Sequence, residues 1–154
     1  MSQMKSLAKQ TAIYGVSSIL GKFLNWCLVP LYTYILTSSA EYGVVTNLYA
    51  WTALLLVILT YGMETGFFRF INKSDEDAQS VYSSVLWCIG LTSLLFALLV
   101  VLFSPKIADG LGYSEHPEYI TLMAVIVSLD AFGSIPFAYL RYQNRPGRFA
   151  IIKL

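Results

Sequence analysis

The sequence predicts an all-α membrane protein with four transmembrane helices and the start of a fifth. Three observations carry this. Four long apolar stretches cover residues 11–36, 42–66, 80–103 and 119–140. Charged residues make up 12% of the 154 and hydrophobic ones 56%, with a mean hydropathy of +0.62; soluble domains carry about 25% charge. Threading the stretches alternately through a bilayer collects Lys5, Lys9, Arg69, Lys73, Arg141, Arg145 and Arg148 on one side and only Lys106 on the other. Basic residues of short loops stay cytoplasmic, so this sidedness sets the N-terminus inside.

Residues 1–10 read as a short basic, amphipathic lead whose Leu7 can rest on the inner leaflet. Span 1 is the least apolar, because Lys22 falls near its centre; it ends in Tyr32 and Tyr34, where aromatic rings meet headgroups, and Pro30 should loosen its last part. Ser38-Ser39-Ala40 imitates a signal-peptide cleavage site. The preceding apolar run of 26 residues (11–36) exceeds a signal h-region of about 7–15, and three further spans follow. Ser38 with Glu41 forms a capping box that opens span 2 after a short turn, 37–43, making a tight outer hairpin.

Span 2 runs past Thr60 into Tyr61-Gly62-Met63-Glu64-Thr65-Gly66-Phe67-Phe68-Arg69-Phe70, the least lipid-like helix end in the chain. In the inner loop 72–80, Ser74-Asp75-Glu76-Asp77 places acids at a helix start, where the dipole favours them. Asp75 and Asp77 could instead be a glycosyltransferase metal pair, but no nucleotide-binding domain accompanies them, and capping is the favoured reading. Span 3 is leucine-rich, facing lipid on one side and packing on the other. Ser104 as cap and Pro105 at the first helical position should then begin a short outer segment that turns at Gly110 and Gly112. His116, without a second ligand nearby, reads as an exposed loop residue, and Cys27 and Cys88 as apolar packing residues. Span 4 follows Pro117 and holds Asp130, Gly133, Ser134 and Pro136. Residues 141–154 form a basic inner loop and the opening of a span too short to cross, so the chain reads as the N-terminal piece of a longer protein.

Ionisable groups within a bilayer suggest a pathway or site by default. Lys22 shares a helix face with Ser18 and Asn25, and Asp130 falls at a similar depth in span 4. Glu64 lies about 10 Å nearer the cytoplasm, at about 1.5 Å per residue. Either Lys22 and Asp130 neutralise each other between packed helices, or Ser18, Lys22, Asn25 and Asp130 line a water-filled cavity. Helix breaks at Pro30, Gly133 and Pro136 favour the cavity. No catalytic constellation, cofactor loop or metal-ligand set competes, and the basic residues are explained by topology without nucleic acid.

The basic lead before Thr11-Ala-Ile-Tyr-Gly-Val-Ser-Ser-Ile-Leu-Gly-Lys22 resembles the first span of bacterial polysaccharide biosynthesis membrane proteins, the Wzx-type lipid-linked oligosaccharide flippases of the multidrug/oligosaccharidyl-lipid/polysaccharide exporter superfamily. Glu41-Tyr-Gly-Val, the segment from Tyr61 to Phe70, and Leu140-Arg-Tyr-Gln-Asn-Arg-Pro-Gly-Arg-Phe149 are similar in kind and order. The similarity covers the whole chain but only the first part of a family member. It implies part of the N-terminal lobe of a two-lobe exporter in the cytoplasmic membrane of a bacterium. It also implies a non-enzymatic transporter that flips an undecaprenyl-diphosphate-linked glycan, with Lys22 meeting the diphosphate and Glu64 and Arg69 in the cytoplasmic gate. It assigns no role to Asp130. Its partners would be the lipid-linked oligosaccharide, membrane lipids and the remainder of the same protein. Sodium or proton coupling is known in the superfamily, though no complete cation site is visible. A small-molecule exporter of the same fold, or a four-span transporter acting as a dimer, would share these features. A membrane glycan polymerase would need a larger outer loop than 104–118.

Overall fold

The computed structural model describes residues 2–35, 38–73 and 77–153, and shows α-helices with no strand among them. In order these are α1 (Ser2–Ile35), α2 (Ser39–Thr60), α3 (Met63–Lys73), α4 (Ala78–Leu111), α5 (Pro117–Tyr142) and α6 (Pro146–Lys153). Three of the helical stretches are long and apolar enough to cross a membrane: Ala40–Lys73, Ala78–Leu111 and Pro117–Tyr142. The protein is an all-α membrane protein. At 34 residues α1 has the length for a crossing.

The helix ends follow local chemistry. Ser38 caps α2, its Oγ accepting from the Ala40 amide at 3.2 Å, and Asp77 caps α4 by accepting from the Gln79 amide at 3.5 Å. The expected cap residues Ser74, Asp75 and Glu76 lie outside the described residues. Pro117 occupies the first position of α5, where its missing amide hydrogen removes no bond. Gly112 closes α4 at φ 80°, ψ 20°, and the following Tyr113 amide donates to the Ala108 carbonyl at 2.7 Å.

Several expected boundaries move. No new segment starts at Ser104, because α4 continues to Leu111 with Pro105 inside it. Pro105 cannot donate to the Val101 carbonyl four residues back. The Ser104 hydroxyl donates to that oxygen instead, at 2.9 Å, so the helix survives. Gly110 is helical, and only Gly112 turns the chain. Pro30 in α1 and Gly133 and Pro136 in α5 also leave their helices continuous. Residues 2–10 of the lead are helical and continuous with the rest of α1. Among the described residues a span is interrupted at Tyr61 (φ 32°) and Gly62 (φ 71°), which end α2 at Thr60 and restart the chain as α3.

The chain divides into two compact units: Met1–Thr46 with Tyr139–Leu154, and Asn47–Ala138. In the first, α6 packs on α1. In the second, Leu59 of α2, Ala108 of α4 and Ile120, Met123, Val127 and Ala131 of α5 form the core, with Trp51, Leu55 and Phe96 against it. Buried positions on α5 recur at spacings of three and four, and many are small: Ala124, Ser128, Ala131 and Ala138. Lipid is as apolar as leucine, so helices in a bilayer associate through close packing, which small residues permit. Trp87, Leu91, Leu94 and Leu98 on the other side of α4 are exposed, as the reading of span 3 required.

Candidate functional site

Helix α1 carries Lys22 at an exposed position, beside exposed Ile19, Phe23 and Trp26. Gly21 next to it leaves open space, with nothing within 4 Å of where a Cβ would stand. The side chains of Ser18 and Asn25 lie outside the described residues. Asp130 is also exposed, on the α5 face bearing Leu122, Ile126 and Leu129 and away from the helix's buried stripe. Lys22 belongs to the first unit and Asp130 to the second.

Glu64 and Arg69 share α3, whose place is set by an aromatic contact. Phe67 is fully buried, edge-on to Phe68 at 5.5 Å and to Tyr82 of α4 at 6.5 Å between ring centres. Glu64, in the first turn of α3, is half-buried, while Arg69 is exposed. The acid thus sits where the helix dipole favours a negative charge, and the basic residues Arg69 and Lys73 lie further along, toward the dipole's negative end.

A second cluster escaped the sequence reading. In the first unit Tyr14 of α1 meets Phe149 of α6 edge-on at 5.0 Å, and the Arg141 guanidinium lies 5.9 Å from the centre of the same ring. Tyr139 and Tyr142 stack beside Arg141 at 6.3 Å. A guanidinium within about 6 Å of a ring face is attracted by its quadrupole, so this cluster clasps α6 to α1. The available signal was Arg141 followed by Phe149 across the short Gln143–Asn144 turn. Nothing local named Tyr14 as the third member.

Between α4 and α5 His116 and Glu118 are exposed and hydrogen-bonded at 2.8 Å, with the His116 ring stacked on Tyr119 at 4.8 Å. That bond, with the backbone amide of Glu118, holds the Glu118 carboxyl below its ordinary range. Within the second unit Asn47 of α2 donates to the Tyr113 hydroxyl at 2.9 Å. Buried Ser93 and Ser128 have hydroxyls without a partner among the described residues. Cys27 and Cys88 are free and exposed, and the described residues hold no cluster of three or more His, Cys, Asp or Glu fit for a metal.

A family model described as polysaccharide biosynthesis protein matches residues 7–146. No curated protein and no solved structure matches the chain.

Proposed function

The chain belongs to the polysaccharide biosynthesis protein family, and from this premise we propose that it takes part in moving an undecaprenyl-diphosphate-linked oligosaccharide across the bacterial cytoplasmic membrane, without acting as an enzyme. The observation that carries this reading is Lys22, a cation exposed midway along α1 among large apolar side chains. Insertion scales assign lysine at a helix centre about 2.5–3.5 kcal/mol, so stability alone would favour leucine there. A diphosphate passing through the membrane needs such a charge, because its own desolvation is otherwise prohibitive.

In this reading Lys22 pairs with the diphosphate, Ser18 and Asn25 offer hydrogen bonds from the same helix face, and Asp130 contributes to the cavity wall. Glu64 and Arg69 act at the cytoplasmic end as gate residues. The N-terminus is cytoplasmic, and a sodium or proton gradient drives export. The polyprenyl chain stays in lipid while the charged head and glycan cross.

The test substitutes Lys22 in the full-length protein. Lys22→Ala should reach normal abundance in the membrane yet lose glycan export, and Lys22→Arg should retain part of it, since guanidinium also binds phosphate with different reach. If Lys22 only neutralises Asp130, Lys22→Ala should lower abundance instead. Export restored by Lys22→Leu combined with Asp130→Leu would eliminate Lys22 as a substrate ligand.

A further inference from the structure

Two buried hydroxyls of the second unit have no part in the transport reading. Ser93 of α4 and Ser128 of α5 are only 3% and 8% exposed, and neither hydroxyl has a hydrogen-bond partner among the described residues. The same unit shows the ordinary alternative. Thr60, Thr92, Ser104 and Ser134 each turn their hydroxyl onto a carbonyl of their own helix three or four residues back, at 2.7–3.0 Å. A helical serine has that bond within reach. For Ser93 it is contested, because the Ile89 carbonyl four residues back already accepts from Thr92 at 3.1 Å. A buried hydroxyl left unpaired is costly, most of all where bulk water does not enter.

Register brings the two serines to one level. Residues 112–116 join α4 to α5, a link short enough to make the helices antiparallel neighbours, and Ala108 and Ile120 on either side of it share the core. Further along, a Cβ on Gly90 would stand 3.3 Å from the Phe132 ring, so residues 90 and 132 oppose one another. Ser93 lies three residues on from Gly90, about 4.5 Å toward the turn, and Ser128 four residues back from Phe132, about 6 Å the same way. The two thus differ in height by about one residue's rise. At about 100° per residue, those steps swing both positions to the same flank of the α4–α5 seam. One turn to either side of Ser128 stand Ala124 and Ala131, both fully buried and each presenting only a methyl group.

We propose that Ser93 and Ser128 hold one water molecule between them, an interhelical water site in the apolar interior of the second unit. The two hydroxyls do not bond one another directly, and a single water joins polar groups that lie beyond direct reach. It takes both hydroxyls and a backbone carbonyl of either helix, within the two to four partners that hold a buried water. The site ties α4 to α5 by polar contact, where lipid gives no hydrophobic drive for helices to associate. The assignment is independent of what the chain transports.

Water-edited solid-state NMR reads the site directly, on the full 154-residue chain carrying isotope-labelled serine and reconstituted in phosphatidylcholine bilayers. Alanine substitutions assign the serine Cβ signals. Ser104 is the internal control, since it too is 8% exposed but its hydroxyl is bonded to the Val101 carbonyl. Magnetisation from water should reach Ser93 and Ser128 several-fold faster than Ser104. In Ser93→Ala the transfer to Ser128 should fall to the Ser104 rate, and in Ser128→Ala the transfer to Ser93 should do likewise. An unchanged Ser104 shift checks that each variant folds. Transfer at the Ser104 rate in the unsubstituted chain would overturn the site. Fast transfer at one serine that survives loss of the other would overturn it as well, since the two would not share a water. Unfolding by SDS gives a second measurement. The effects of Ser93→Ala and Ser128→Ala on the unfolding constant should combine to roughly threefold less than their product, the size of an interhelical polar contact in a bilayer. Simple multiplication of the two effects would overturn the bridge, and coupling without fast water transfer would overturn the water in favour of a direct bond.

Discussion

Replacing Gly62 by alanine isolates the backbone strain at the α2–α3 junction. Gly62 has φ 71°, and nothing lies within 4 Å of the position a Cβ would take. No steric clash therefore contributes, and the whole effect comes from forcing an L-residue into the left-handed region, about 1–2 kcal/mol. Gly110 is the matched control, since it too has open space around it but lies inside α4 without a positive φ. There alanine should stabilise by roughly 0.5–1 kcal/mol, through helix propensity. The two variants should thus separate by about 1.5–3 kcal/mol, the sum of the opposed effects. Unfolding of the reconstituted chain by increasing SDS mole fraction, followed by circular dichroism, measures the difference. If Gly62→Ala proves as stabilising as Gly110→Ala, α2 and α3 are one continuous helix.

Topology gives a direct check on charge sidedness: reporters fused after Lys73 or Arg145 should score cytoplasmic and one after Gly110 periplasmic, and opposite scores would invert the map. Between α4 and α5 the sign of the pH effect follows from Glu118, whose carboxyl is held low first by its hydrogen bond to His116. A depressed folded-state pKa means the bond's contribution is present above the ordinary carboxylate range and is lost as pH falls through the lowered value. An NMR titration should show the Glu118 midpoint rise in His116→Ala, and an unchanged midpoint would remove the bond as cause.

The family match over residues 7–146 and the all-helical membrane fold both agree with the sequence reading, because their signals are local. Apolar runs of about 20 residues have no other stable use in a bilayer, where every backbone amide must bond within its own segment. Basic residues sort by side for reasons of insertion, before tertiary structure exists. Caps at Ser38 and Asp77 and the Gly112 turn depend on a few neighbouring atoms, and all three were legible in the sequence. The Ser104-Pro105 start was misread because a serine hydroxyl can either cap a new helix or mend an old one, and only the structure decides which. The Tyr61–Gly62 break was visible as unusual composition, yet its two left-handed residues were not, since a tyrosine rarely accepts that backbone.

Lys22, Asp130, Glu64 and Arg69 stood out in the sequence because charge within an apolar run is costly wherever it points. Where each one points is a tertiary matter. The buried stripe of α5 follows Ile120, Val127, Ala131 and Ile135 and leaves Asp130 on the exposed side, which periodicity alone could not choose between two apolar faces. The same holds for Tyr14, Arg141 and Phe149, distant in sequence and joined only when α6 folds back on α1. Sequence by itself determined that helices form and that the stretches Ala40–Lys73, Ala78–Leu111 and Pro117–Tyr142 are apolar enough to cross. The tertiary structure decided which face of each helix is buried, because that choice depends on the shape of a neighbour that the local sequence does not contain.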